Sequence, residues 1–206
     1  AGLALADWAI GQAVRWAVQW HAQGHGLKVG VNVAAAQLLD AHWPTLLGAH
    51  LPALAEAPSA RLEIELLESA AIEDFALMVQ RIEACRQAGV GVALDDFGAG
   101  HSGLAWLRRL PVSALKLDRA FVAGLPHGTA DLVIVRHLVA LGKALGLAVL
   151  AEGVESRSQG DCLLGLGCEL AQGFAIAPPM APDALLPWLR RYERAPLWKQ
   201  PAPGTG

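Results

Sequence analysis

The sequence predicts an α/β protein, a TIM-type (β/α) barrel incomplete at its N-terminal side. Three observations lead there. Short apolar, strand-like runs alternate with helical segments about six times along the chain. Polar residues recur at or near the C-terminal ends of those runs, as if converging on one axis, where such barrels keep their active sites. The chain also carries no GxGxxG or GxxxxGKS/T loop, which favours the barrel over an open doubly wound sheet. A closed barrel has eight strands, so roughly a quarter of the wall is expected to be missing from the N-terminal side.

Composition narrows the function. The 206 residues suit one sizeable domain, expected over 1–195 with a tail over 196–206. Apolar residues make up 54% and charged residues only 17%, as expected for strands enclosed by helices. A net charge of -3 offers no field for a nucleic-acid backbone, which argues against DNA and RNA as partners. Cys85, Cys162 and Cys168 show no CxxC spacing and read as small buried residues of a reducing, cytoplasmic compartment. The longest apolar run, Leu132 to Leu150, is interrupted by Arg136, His137 and Lys143, so this domain is expected to make no membrane contact. No signal peptide and no initiating Met are present, and a piece of a longer protein is expected.

Taken in order, Ala4 to Gln23 is a helix apolar on several sides. His21 and His25 lie at its Gly-marked end without an accompanying acid, so they read as helix-end residues and not as metal ligands. Lys28 to Ala34 is a buried strand in which Asn32 needs polar partners. Gln37 to His50 is a helical connection broken at Pro44. Arg61 to Leu67 is a strand whose alternation sets Leu62, Ile64 and Leu66 against Glu63 and Glu65, with Glu65 and Glu68 as candidate barrel-interior acids. Ser69 to Gln87 is a helix stopped by Gly89.

Gly91 to Leu94 begins the central strand, which gives out at Asp95-Asp96 and the turn residues Gly98 and Gly100. Adjacent carboxylates at a strand end repel unless a cation or proton lies between them, so a divalent metal is one reading. A polar turn with one capping Asp is the other. Leu104 to Leu110 is a helical turn ended by Pro111. Ala114 to Asp118 is a strand carrying Lys116 between leucines; the ammonium needs a paired anion there, or must reach the surface. Asp131 to Gly146 is an amphipathic helix. Leu147 to Val154 is a strand ending near Glu152 and Glu155, Ser156 to Gly167 a helix, and Leu170 to Ile176 a last strand enclosing Gln172-Gly173. Pro182 to Tyr192 closes the domain, and Pro201 to Gly206 is expected to be disordered.

The segments Asp95-Asp96-Phe97-Gly98-Ala99-Gly100, Leu110-Pro111, Leu115-Lys116-Leu117-Asp118, Ala151-Glu152-Gly153-Val154-Glu155 and Gln172-Gly173, in this order, resemble the EAL domain. EAL domains are bacterial phosphodiesterases that open cyclic di-GMP to linear pGpG. The resemblance implies a site with two Mg²⁺ or Mn²⁺ ions. It makes Asn32, Glu65, Asp95 and Asp96 metal ligands, with Asp96 bridging both ions. Glu152 becomes a ligand or general base, and Lys116 stands beside the attacking water and phosphate. Glu155 and Gln172 belong to the surroundings of metal and substrate. Glu68 holds the loop after Asp96, and Asp118 supports the site. It further implies a homodimer and a sensor or GGDEF-type domain in the parent protein, itself membrane-anchored or not.

This chain departs from the pattern in places. The name motif Glu-Ala-Leu and its following arginine do not occur here and are expected upstream. Leu67 stands where the family usually has Thr, and His101 and Gly103 replace the usual Tyr and Ser. The acids around the Asp-Asp loop and the Ala-Glu-Gly-Val-Glu segment are all present. That favours a catalytic domain over a degenerate one that only binds cyclic di-GMP or a protein partner, and this piece by itself is expected to be impaired. An unrelated metal-dependent barrel hydrolase would share the fold but not this series of motifs.

Overall fold

In the computed structural model, residues 2–68, 74–98 and 107–198 are described. Among them, strands β1 (Lys28–Asn32), β2 (Arg61–Leu67), β3 (Gly91–Phe97), β4 (Ala114–Leu117), β5 (Ala148–Ala151) and β6 (Leu170–Ala171) pair in parallel, in chain order. Helix α1 (Gly2–Ala22) precedes them. The connections carry α2 (Ala35–Leu38), α3 (Trp43–Ala55), α4 (Phe75–Gln87), α5 (Arg119–Ala123), α6 (Thr129–Ala144) and α7 (Arg157–Gly165), and α8 (Pro182–Arg194) follows β6. An order that never reverses is a curled barrel wall; a doubly wound sheet would reverse at a switch point.

Register and the two-residue period of a strand sort the side chains onto two faces. Asn32 pairs with Glu65, Glu65 with Ala93, Ala93 with Ala114, and Lys116 with Leu150. Those residues and their i±2 neighbours share the inner face. Leu62, Ile64, Leu66, Val92, Leu94, Leu115 and Leu117 share the other, where they pack into one core with Ile10, Met78, Ile82, Val122 and Val139 from the helices. Each such side chain, fully buried, contributes about 1.5–3 kcal/mol. Two glycines make room on the inner face. A Cβ at Gly30 would overlap the Glu65 carboxylate, and one at Gly91 would crowd Glu63, which is buried and paired with Lys28 at 2.7 Å.

Several expected boundaries move. The connection after β1 is two helices, and Pro44 does not break the second but sits in its first turn. A first-turn residue has no helical carbonyl to bond, so proline costs nothing there. The last strand ends at Ala171, not Ile176, and Gln172-Gly173 lie beyond it. The chain turns because Gly173 meets the backbone of Val154. Val154 N donates to Gln172 O at 3.0 Å, and Ala175 N donates to Val154 O at 2.9 Å. Trp198, assigned to the tail, packs over Gly160 of α7, and its Nε1 donates to Asp161 at 2.9 Å. The expected helix from Ser69 is described from Phe75, and the turn from Leu104 is described from Leu107. Ala99, Gly100, His101, Gly103 and the end Pro201 to Gly206 lie outside the described residues.

The Gly173 turn gives a stability test. A Cβ there would overlap both N and O of Val154, which are backbone atoms and cannot swing away. Gly173→Ala is expected to cost about 1–3 kcal/mol, read as a lower urea midpoint. An unchanged midpoint would mean that the two backbones are not in contact.

Candidate metal centre

The site grows from the inner face at the C-terminal ends of the strands. Glu65 from β2, Asp95 from β3, Lys116 from β4 and Glu152 just after β5 all fall on that face by register. Asp96 would not, because neighbouring strand residues point opposite ways. Between Leu94 and Phe97 the pairing register shifts, and Asp96 adopts φ 52°. This bulge brings Asp96 onto the same side as Asp95, at the cost of a left-handed backbone on a residue with a Cβ. Among the described residues, ligand atoms of Asp95, Asp96 and Glu152 then lie within 4.8 Å of one another.

Lys116 answers the question its position raised. It is 4% exposed, and its Nζ spends its three donors on Glu65 Oε2 at 2.7 Å, Asp95 Oδ1 at 2.9 Å and Glu152 Oε1 at 2.7 Å. Burial alone would lower its pKa and is the largest influence. The bonds to Glu152, Glu65 and Asp95 together outweigh it and leave the ammonium above its ordinary value. Gln172 Nε2 donates to the same Glu152 oxygen at 2.7 Å.

The other expected site residues are placed as follows. Asn32 is exposed at the end of β1, in register with Glu65. Glu68 is buried and accepts the Gly98 N–H at 2.8 Å, two residues beyond Asp96. Asp118 caps α5 by accepting the Ala120 N–H at 2.6 Å. Glu155 is exposed, outside the carboxylate group, and donates its backbone N–H to Gln159 Oε1 at 2.8 Å. His21, at the end of α1, bonds Ser59. Gln159 was not singled out from the sequence. The Ser156-x-x-Gln159 capping spacing before a helix is the signal that could have found it.

Three carboxylates, Glu65, Asp95 and Glu152, thus bind one ammonium, and Asp96 lies beside Asp95 and Glu152 as a fourth. Two of them show the imbalance. Asp96 is raised above the ordinary carboxylate value by burial first, then by Asp95 and Asp118. Glu152 is raised by burial first; Lys116 opposes this, while Asp95 and Glu65 add to it. Hard oxygen donors in negative excess suit a hard divalent cation. A carboxyl whose folded pKa lies above its unfolded value stabilises the fold while protonated, and that contribution is lost as pH rises through the folded pKa. The metal-free protein is therefore expected to lose stability as pH climbs from the ordinary carboxylate range through the raised values. Mg²⁺ is expected to raise the melting temperature more at about pH 8 than at about pH 5. An equal shift at both would place the ion away from these acids.

A parallel barrel wall whose strand ends gather carboxylates around a buried lysine defines a class of protein suited to divalent-metal chemistry. Within that class the chain belongs to the EAL domain family, whose model matches residues 1–179. It is 40% identical over 159 residues to the bifunctional diguanylate cyclase/cyclic di-GMP phosphodiesterase MucR of Pseudomonas aeruginosa, a match covering 77% of this chain and 23% of that one. It is 39% identical over 188 residues to the cyclic di-GMP phosphodiesterase PdeR of Escherichia coli, covering 91% of this chain and 28% of that one. The chain thus spans less than a third of the length of either relative. Among solved structures, the EAL domain of Mycobacterium smegmatis DcpA superposes with a TM-score of 0.78 at 34% identity, covering 90% of this chain and 82% of that one. The PaMucR phosphodiesterase in complex with c-di-GMP gives 0.81 at 37%, covering 88% and 73%.

Proposed function

We propose that this domain hydrolyses cyclic di-GMP to linear pGpG with two Mg²⁺ or Mn²⁺ ions. The observation that carries the reading is the Asp95, Asp96 and Glu152 group, with ligand atoms within 4.8 Å, at the strand ends of an EAL-family chain. Asn32, Glu65, Asp95, Asp96 and Glu152 would hold the ions. Bound there, divalent ions lower the pKa of water and neutralise phosphate charge. Glu152, with its raised pKa, is suited to take a proton from the attacking water, and Gln172, bonded to its Oε1, holds the carboxylate in place for this. Lys116 presents positive charge where the phosphate gains negative charge. Glu68 keeps Gly98, and with it the approach to Asp96, in place. Asp118 anchors α5 beside Asp96, and Glu155 completes the polar surround.

The Glu-Ala-Leu motif is not among residues 1–206, so this segment alone is expected to turn over more slowly than a chain carrying it. We further infer a cytoplasmic homodimer joined to a sensor or GGDEF-type domain. Among the described residues no helix is long and apolar enough to cross a membrane. The test is incubation of purified protein with cyclic di-GMP and Mg²⁺ or Mn²⁺, for residues 1–206 and for a chain extended through the motif. Production of pGpG by the extended chain supports the enzyme. Binding without product moves the domain to the receptors.

A further inference from the structure

We propose that Gln159 is a positioning residue: it locks α5 as a spacer that sets the distance between the segment carrying Glu152 and the loop carrying Asp96. Gln159 is 7% exposed although its side chain is an amide. Its Oε1 accepts from Glu155 N at 2.8 Å and Ser156 N at 2.9 Å, and its Nε2 donates to Val122 O at 3.2 Å. The first two bonds hold the end of the segment that starts at Glu152. The third crosses to α5, whose Val122 is fully buried.

Helix α5 touches both acid-bearing segments. On one side Arg119 packs against Gly153, directly after Glu152; a Cβ on Gly153 would stand 2.6 Å from that of Arg119. On the other side the Phe121 ring lies against Gly98, two residues after Asp96; a Cβ there would stand 2.8 Å from the ring. Both glycines have positive φ, 70° and 96°, and lack a Cβ, which is what lets the helix approach both segments this closely. A five-residue helix is too short to hold itself in place. The amide of Gln159 ties it down and grips the Glu152 segment at the same time. An ordinary capping residue would serve α7 alone; Ser156 Oγ, accepting from Gln159 N at 3.3 Å, does that.

The test compares Gln159→Leu with Ser156→Ala by amide hydrogen exchange without metal. Both weaken the start of α7, but only the first releases α5. Gln159→Leu is expected to speed exchange about tenfold or more at Val154 N–H and also at Gly98 N–H, more than sixty positions before the amide that was removed. Ser156→Ala is expected to leave Gly98 unchanged. An unchanged Gly98 in Gln159→Leu, or an equal effect in Ser156→Ala, overturns the proposal. If Gln159→Leu does not fold, Gln159→Glu decides. It keeps acceptors for α7 but as a carboxylate cannot donate to Val122 O, so faster exchange at Gly98 supports the spacer and wild-type exchange overturns it. A Mn²⁺ titration followed by electron paramagnetic resonance then links the spacer to the metal reading on which its functional meaning rests. Gln159→Leu is expected to bind about tenfold or more weakly than wild type, and equal binding overturns the link. Wild-type protein that takes up no Mn²⁺ removes the metal reading and leaves the exchange result standing.

Discussion

Asp96→Asn is expected to abolish turnover of cyclic di-GMP, by about a thousandfold or more, while the fold survives. The amide keeps the size and one oxygen of the carboxylate but loses the charge and the second donor. Asp96 is the residue brought onto the inner face by a bulge and a left-handed backbone, φ 52°. Asn tolerates that backbone as readily as Asp, so circular dichroism and melting should match or exceed wild type. Removing a carboxylate that is raised by burial and by Asp95 should even stabilise the metal-free protein above the ordinary carboxylate range. Mn²⁺ affinity should fall in parallel with turnover. Retained turnover would remove Asp96 from the metal site.

Lys116→Met should damage both stability and activity. The ammonium is bonded to three carboxylates and lies in the sheet at 4% exposure, so its loss leaves them facing one another in a poorly solvated place. Removing one partner of a buried ion pair costs about 3–5 kcal/mol. The loss should be largest near neutral pH. It should shrink toward about pH 5, because Glu152, already raised and deprived of the bond that opposes the rise, takes up a proton more easily. Mg²⁺ should recover part of the stability and little of the turnover, since an ion can replace the missing charge without standing where the lysine stood. Urea melts with and without Mg²⁺ at the two pH values separate these effects. A variant as stable as wild type at neutral pH would mean that the four groups do not meet.

The strands were legible because most are short, largely apolar runs, with β2 alternating, and helical segments separate most of them. The polar positions at the strand ends were legible for the same reason: in a buried strand an Asp or Lys is conspicuous. Local pattern could not decide what Lys116 does, because its partners Glu65 and Asp95 are 51 and 21 residues away. Nor could it show the bulge at Asp96, since nothing in Leu94-Asp95-Asp96-Phe97 reports a register shift against β4. The sequence pattern extends the last strand too far because Gln172-Gly173 continues the composition of a strand. The backbone of Val154, reached only in the folded chain, is what turns it aside.

The two-faced sheet has a consequence for how such a domain can change over generations. Within β2, Glu63 and Glu65 look inward while Leu62, Ile64 and Leu66 look toward the helices; in β4 the inward place belongs to Lys116, between Leu115 and Leu117. Substitutions at neighbouring codons should therefore fail for unrelated reasons. A library of single variants, scored once for abundance in the cell and once for second-messenger turnover, should show a beat of two along every strand. Outward leucine positions should drop out of the first score, inward carboxylate positions out of the second, and Lys116 out of both. A lineage could then lose or retune its chemistry at the inward carboxylate codons while Lys116 and the outward codons keep the protein folded.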